Sequence, residues 1–162
     1  MRECGDCTLC CLTHHIWEMS RAGKKLIKPA GVWCEHCDNI NHRCTLYPNH
    51  NIVCRTYNCE WREGFGDESF KPTKSGLILD WHRTGSATPR LQIWEAREGA
   101  LTSAWVKRET DILLRSRVFV AYMYLSGKMI LFVPRWVQLS DEASQVYLRE
   151  GTEIKTYPAI DI

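Results

Sequence analysis

The sequence predicts an α+β protein: an irregular, cysteine-rich, metal-bound N-terminal module over residues 1–66, then an α+β region over residues 67–162 with a small antiparallel sheet and one or two helices. Three observations predict it. All nine cysteines precede Glu60. Residues 1–66 show little hydrophobic periodicity and are punctuated by Gly5, Gly23, Pro29, Gly31 and Pro48, whereas from Lys74 onward alternating and helical patterns take over. A chain of 162 residues can bury one core and still carry a small unit that needs metal or cross-links to offset its chain entropy.

The first segment reads as loops held by something other than a core. Glu63-Gly64-Phe65-Gly66-Asp67-Glu68 has the glycine and charge content of a boundary. Residues 76–81 and 91–96 read as strands, the second with Leu91, Ile93 and Glu95 on one side and Gln92, Trp94 and Ala96 on the other. Residues 102–117 space Trp105, Val106, Ile112 and Leu113 as an apolar helix face, with Lys107, Arg108, Asp111 and Arg115 elsewhere on the surface. Two β-rich runs, 118–125 and 128–133, flank Ser126-Gly127, predicting a hairpin with a two-residue turn. Ser140 has the character of an N-cap and Gly151 of a C-terminal stop, predicting a short last helix. The order strand, strand, helix, hairpin, helix suits an antiparallel sheet. Trp81, Trp94 and Trp105 fall where aromatics fill cores, and Trp136 is the candidate for exposure.

The formal charge of +2 divides evenly along the chain and points to neither nucleic acid nor membrane. No run approaches a membrane span, and residues 1–11 are polar and cysteine-rich where a signal peptide would be apolar, so a cytoplasmic protein is expected. A disulfide framework would want an export signal, an oxidising compartment and an even cysteine count, none of which is visible.

Cys4-Gly5-Asp6-Cys7 and Cys34-Glu35-His36-Cys37 are both C-x2-C pairs, a spacing that lets two thiolates converge on one ion. With Cys44, Cys54 and Cys59 they point to thiolate metal binding; buried structural thiols would explain neither the density nor the spacing. Cys10 and Cys11 are adjacent, and in an extended segment neighbouring side chains face opposite ways, which suggests two separate jobs. Two tetrahedral sites of four thiolates would use eight of the nine cysteines, the arrangement structural zinc favours. The run Cys4-x2-Cys7-x2-Cys10 also matches the first three ligands of a ferredoxin-type [4Fe-4S] cluster, with a fourth thiolate from far away. Zinc and the cluster share these ligands, so both options stand.

Cys4-Gly5-Asp6-Cys7-Thr8-Leu9-Cys10-Cys11, then Trp33-Cys34, Cys44-Thr45-Leu46-Tyr47, and Cys54-Arg55-Thr56-Tyr57-Asn58-Cys59-Glu60-Trp61 resemble the YkgJ-type family of zinc- or iron-chelating domains over residues 4–61. The resemblance implies chelation by Cys4, Cys7, Cys10, Cys11, Cys34, Cys44, Cys54 and Cys59. A relative of that family is a flagellin lysine methylase, which implies an enzymatic option. Two departures stand out: His50-Asn51 occupies the place of an Arg-Pro pair, and Cys37 stands where an apolar residue is usual, as a replacement ligand or an odd thiol.

Five of the six histidines, His14, His15, His36, His42 and His50, lie among the cysteines, as thiolate substitutes or as loop residues and outer partners of ligands. A Cys/His nucleophilic site would need one activated thiolate, and none is singled out. The basic run over residues 21–28 would serve as a nucleic-acid contact or as a solvated loop. Asp80-Trp81-His82 would serve as an acid–base pair or as an ordinary polar strand end. The leading expectation is a binding protein: two zinc ions fold the module, and the α+β region meets a protein partner. The alternatives are a [4Fe-4S] redox or methyl-transfer enzyme and a zinc-dependent nucleic-acid-binding module.

Overall fold

The computed structural model describes residues 1–20, 23–38, 40–46, 49–82, 89–141, 144–145, 148 and 151–157. The C-terminal region is organised on a five-stranded sheet. Its strands are β5 (Leu77–His82), β6 (Arg90–Glu95), β7 (Phe119–Met123), β8 (Met129–Pro134) and β9 (Thr152–Tyr157), in that spatial order. The α+β class holds, but the sheet is mixed: β5/β6 and β7/β8 are antiparallel, while β6/β7 and β8/β9 are parallel. The expected antiparallel sheet is therefore corrected. The physical reason is the connection. The helix α5 (Ala104–Arg115) intervenes between β6 and β7 and returns the chain to the same end of the sheet.

Both faces are covered, which is why β6 is buried along its whole length. One face packs Leu77, Leu79, Leu91, Ile93, Val120 and Tyr122 against Val106 and Leu114 of α5. Buried Thr110 meets the Tyr122 hydroxyl at 2.7 Å, so two polar groups inside this core satisfy each other. Ile112, expected on the apolar face, is exposed. The stripe that packs is Val106, Thr110 and Leu114 at i, i+4 and i+8, which turns Ile112 outward. On the opposite face Ile78 and Trp94 meet Cys59 and Trp61, while Phe119, Ala121, Leu131 and Val133 pack with Val137 and Leu139. Trp94 is buried, Trp81 and Trp105 are partly buried against the core, and Trp136 is exposed.

The hairpin between β7 and β8 has a three-residue loop rather than the expected two. Tyr124 N–H donates to Lys128 O at 2.9 Å, Gly127 N–H to Tyr124 O at 2.9 Å, and Gly127 sits at φ 82°. This is a turn closed by a left-handed glycine, which keeps the twist of the flanking strands. Helical backbone is present at Asp141, 144–145 and 148, and Gly151 has positive φ. The remaining positions of that expected last helix, 142–143, 146–147 and 149–150, lie outside the described residues.

The cysteine-rich segment has more regular structure than its composition suggests. Here α1 is Cys10–Thr13, β1 Ile16–Ser20, β2 Gly23–Lys28, β3 Cys37–Asp38, β4 Arg43–Cys44, α2 Ile52–Thr56 and α3 Glu60–Glu63. The β1/β2 and β3/β4 pairs are antiparallel ribbons. A short helix, α4 (Pro72–Ser75), leads into β5. Contacts cross the glycine-rich stretch at 63–68, since Cys59 and Trp61 pack on Ile78 and Trp94. No helix among the described residues is long and apolar enough to cross a membrane.

Gly31 brings the cysteine-rich segment against the β7–β8 loop. It sits at φ +75°, and a Cβ there would lie 2.2 Å from the Leu125 carbonyl oxygen. Gly31→Ala meets both a steric clash with backbone and a left-handed strain. We expect it to lower stability by about 2–3 kcal/mol in urea denaturation; a change under about 0.5 kcal/mol would show that this junction is loose.

Candidate metal centre

None of the nine cysteines is in a disulfide. Both C-x2-C pairs form the same local turn, with Cys7 N–H donating to Cys4 O at 3.1 Å and Cys37 N–H donating to Cys34 O at 3.0 Å. Such a turn brings the first and fourth side chains to one side. In the second turn the His36 carbonyl also accepts from the Thr45 amide and hydroxyl, at 2.9 and 3.2 Å, which ties Cys34 and Cys37 to β4.

The fold sorts the thiols into two neighbourhoods. Cys7 and Cys59 each lie within electrostatic reach of Cys4, and Cys7 within reach of Cys59. They are brought together by Arg2. Its guanidinium donates to the carbonyls of Trp61, Gly64, Phe65 and Gly66 at 2.7–3.3 Å, and its backbone exchanges hydrogen bonds with Arg62. Lys71 closes the same corner, 2.8 Å from Asp6. Elsewhere, Cys54 lies within electrostatic reach of Cys11, Cys34 and Cys44, and the Cys11 and Cys37 thiols hydrogen-bond. Cys37 pairs with Cys44 across β3/β4.

Cys10 and Cys11 stand between the groups. They lie in the helical turn α1 and not in an extended segment, because Cys11 N–H donates to Thr8 O at 2.8 Å and Thr13 N–H to Leu9 O at 3.0 Å. Successive side chains there diverge by about 100°, not 180°, so the two thiols still hydrogen-bond each other. Cys10 nonetheless packs, like Tyr57, on the cluster of Cys59, Trp61, Ile78 and Trp94, whereas Cys11 reaches Cys37.

Burial pushes up the Cys7, Cys54 and Cys59 thiols, and raises Cys37 to about 11. The hydrogen bond to Cys10, then burial, pushes Cys11 well up. Soft sulfur donors held in knuckle-like turns fit a thiophilic ion such as zinc or an iron–sulfur cluster. Among the described residues, however, no three His, Cys, Asp or Glu side chains converge closely enough to hold an ion. The donor chemistry fits; the described side chains do not close a coordination shell.

Three residues that spacing alone undervalued organise this region. Lys28, expected in a solvated basic run, is 5 % exposed and donates to the carbonyls of Leu12, His14 and Pro29. Asp80 on β5 accepts from His14 Nε2 at 2.9 Å, Trp94 Nε1 at 3.2 Å and the Tyr57 hydroxyl at 3.3 Å, all on one oxygen. His14 stacks against Tyr57 and Trp94 at 4.5 and 4.4 Å and meets the Thr13 hydroxyl at 2.7 Å. Burial, then the Asp80 charge, holds the Tyr57 hydroxyl well above its usual range. Of the other histidines, His15 packs edge-on against Trp17 and His36 lies 3.4 Å from Glu35. His42 has φ 50°, and His50 is half-buried. An apolar cleft lined by Phe65, Leu79, Trp81, Leu91, Ile93 and Leu113 contains no cysteine. No family model, curated protein or solved structure matches the chain.

Proposed function

We propose that this chain is a thiolate metal-binding protein that holds two zinc ions and acts as an interaction module. The observation that carries the reading is the sorting of its thiols into two neighbourhoods, Cys4, Cys7 and Cys59 in one and Cys11, Cys34, Cys37, Cys44 and Cys54 in the other, with Cys10 between them, hydrogen-bonded to Cys11 and packed on the cluster that contains Cys59. The order of cysteine motifs that resembles the YkgJ-type family supports it independently. The thiols themselves would supply coordination, and the ions would supply folding energy to a segment with little core of its own. Thiols kept out of disulfides suit a reducing compartment such as the cytoplasm. Exposed apolar side chains on the module, including Ile27, Val32, Trp33 and Ile40, suit a protein partner better than a polyanion. The nucleic-acid reading loses Lys28 from its basic run, because that ammonium faces inward.

A second reading draws on the first neighbourhood together with Cys10. Cys59 lies within electrostatic reach of Cys4 and Cys7, and Cys10 packs on the cluster that contains Cys59, so Cys59 would serve as the remote fourth ligand that a ferredoxin-type run requires. A [4Fe-4S] cluster there, in a redox or methyl-transfer enzyme, would use the same four sulfurs. Metal analysis of anaerobically purified protein separates the two. Colourless protein with two zinc ions per chain supports the first reading. Brown protein with iron and acid-labile sulfide in near-equal amounts replaces it with the second, and protein with neither metal overturns both.

A further inference from the structure

Lys28 ends β2, opposite Ile16 in the β1/β2 register. An ammonium rarely gives up water, and here its acceptors are all backbone: the Leu12 and His14 carbonyls just after Cys10-Cys11, and the Pro29 carbonyl just before the turn to Cys34. Three carbonyl acceptors require three N–H donors, which only the charged form of lysine has. The same two chain segments are tied by Gly31 N–H to Leu12 O and Cys34 N–H to Cys11 O, each at 3.0 Å. The cation thus sits at the seam between the α1 turn and the Cys34 turn. Burial holds the Lys28 ammonium below its usual range, and the Cys34, Cys11, Cys10 and Cys54 sulfurs, as thiolates, act in the opposite direction.

We propose that Lys28 is the fixed counter-cation of the metal group that contains Cys11, Cys34 and Cys54. This rests on the thiolate reading above and deepens it by naming what balances one of its two groups. Four thiolates around a divalent ion leave two net negative charges in a half-buried setting, where an unbalanced charge is costly. The lysine offsets one of them. It also fixes the spacing of Cys11 from Cys34 by gripping carbonyls on both segments. With every N–H engaged, it has none left to donate to a substrate, so its role is positioning and charge balance.

The test uses full-length protein loaded with cobalt(II), whose thiolate charge-transfer absorption reports each ion as a competing chelator removes it. Cys34→Ser identifies the ion of the second group by deleting its signal. Lys28→Met should weaken that same ion by about tenfold or more, the scale on which outer partners act on metal affinity, and leave the other within about twofold. Lys28→Arg, which keeps the charge and can grip the same carbonyls, should restore most of the loss. Equal weakening of both ions, or wild-type retention of both, overturns the proposal while the two-ion reading stands. Wild-type protein that gains no thiolate absorption on cobalt addition overturns that reading and this proposal with it. Should Lys28→Met not fold, Lys28→Arg decides: near-native retention of both ions supports the counter-cation, and a loss at both alike refutes it.

Discussion

On the proposed two-zinc reading, stripping the metal with a thiol-competitive chelator under reducing conditions should unfold the chain up to about residue 61. The reason is local weakness. The helices α1, α2 and α3 have only four or five residues each, far below the length at which a helix persists in water. The β1/β2 and β3/β4 ribbons have two strands each, and an isolated two-stranded ribbon is marginal. Among the described residues few side chains of the segment are buried, and Ile40, Val32 and Ile52 are exposed. Structural zinc in comparably small units contributes on the order of 10 kcal/mol to folding at neutral pH. Loss of that much should appear as a changed far-ultraviolet circular dichroism spectrum and as proteolysis confined to the first 60 or so residues. An intact spectrum and an unchanged cleavage pattern, with removal of the ions verified, would refute metal-dependent folding.

The second large effect is expected at Asp80. Its side chain is 13 % exposed and that of His14 17 %, so the pair is largely shielded from water. Asp80→Ala would leave the His14 ring, the Tyr57 hydroxyl and the Trp94 indole N–H without their common acceptor. A buried donor left without its acceptor costs about 1–3 kcal/mol, because it stays desolvated. With three donors losing one shared acceptor in a site that keeps some exposure, we expect about 3 kcal/mol in urea denaturation. Asp80→Asn keeps an acceptor oxygen and should lose roughly half as much. A loss below about 1 kcal/mol for Asp80→Ala would show that the junction between the cysteine-rich segment and the sheet is held by apolar packing alone.

The two effects concern one seam. Asp80, Ile78 and Trp94 belong to the sheet, while His14, Tyr57, Cys59 and Trp61 come from the cysteine-rich segment. Metal loss should therefore also lower the melting temperature of the sheet, by uncovering the face that carries Ile78 and Trp94.

Much of the architecture is legible along the chain. Strands 77–82 and 90–95, helix 104–115 and the hairpin around Gly127 each follow from a periodicity or a turn residue within a few positions. So do the C-x2-C turns, whose amide-to-carbonyl bonds span three residues. What was not legible has a common cause. Strand direction leaves no mark on a strand's own alternation, so the parallel β6/β7 and β8/β9 pairs depend on how the connections return the chain. The polar-alternating run Thr152–Tyr157 has too few apolar residues to announce a strand; it becomes one by adding to the exposed edge of β8. In the cysteine-rich segment, half of β2 is lysine, and it reads as a loop until β1 pairs with it.

The thiol count, the two knuckle-like pairs and the class of ion they suit are properties of the sequence by itself, because ligand type and short spacing are local. Which thiols become neighbours was decided only by tertiary structure. Cys59 reaches Cys4 and Cys7 because Arg2 binds the loop after α3, and Cys11 reaches Cys37 across the α1 and β3 turns. The same holds for Lys28 turning inward and for Asp80 meeting His14 across 66 positions of chain. Contacts at that separation form only when the whole chain has folded, and no spacing rule within a segment encodes them.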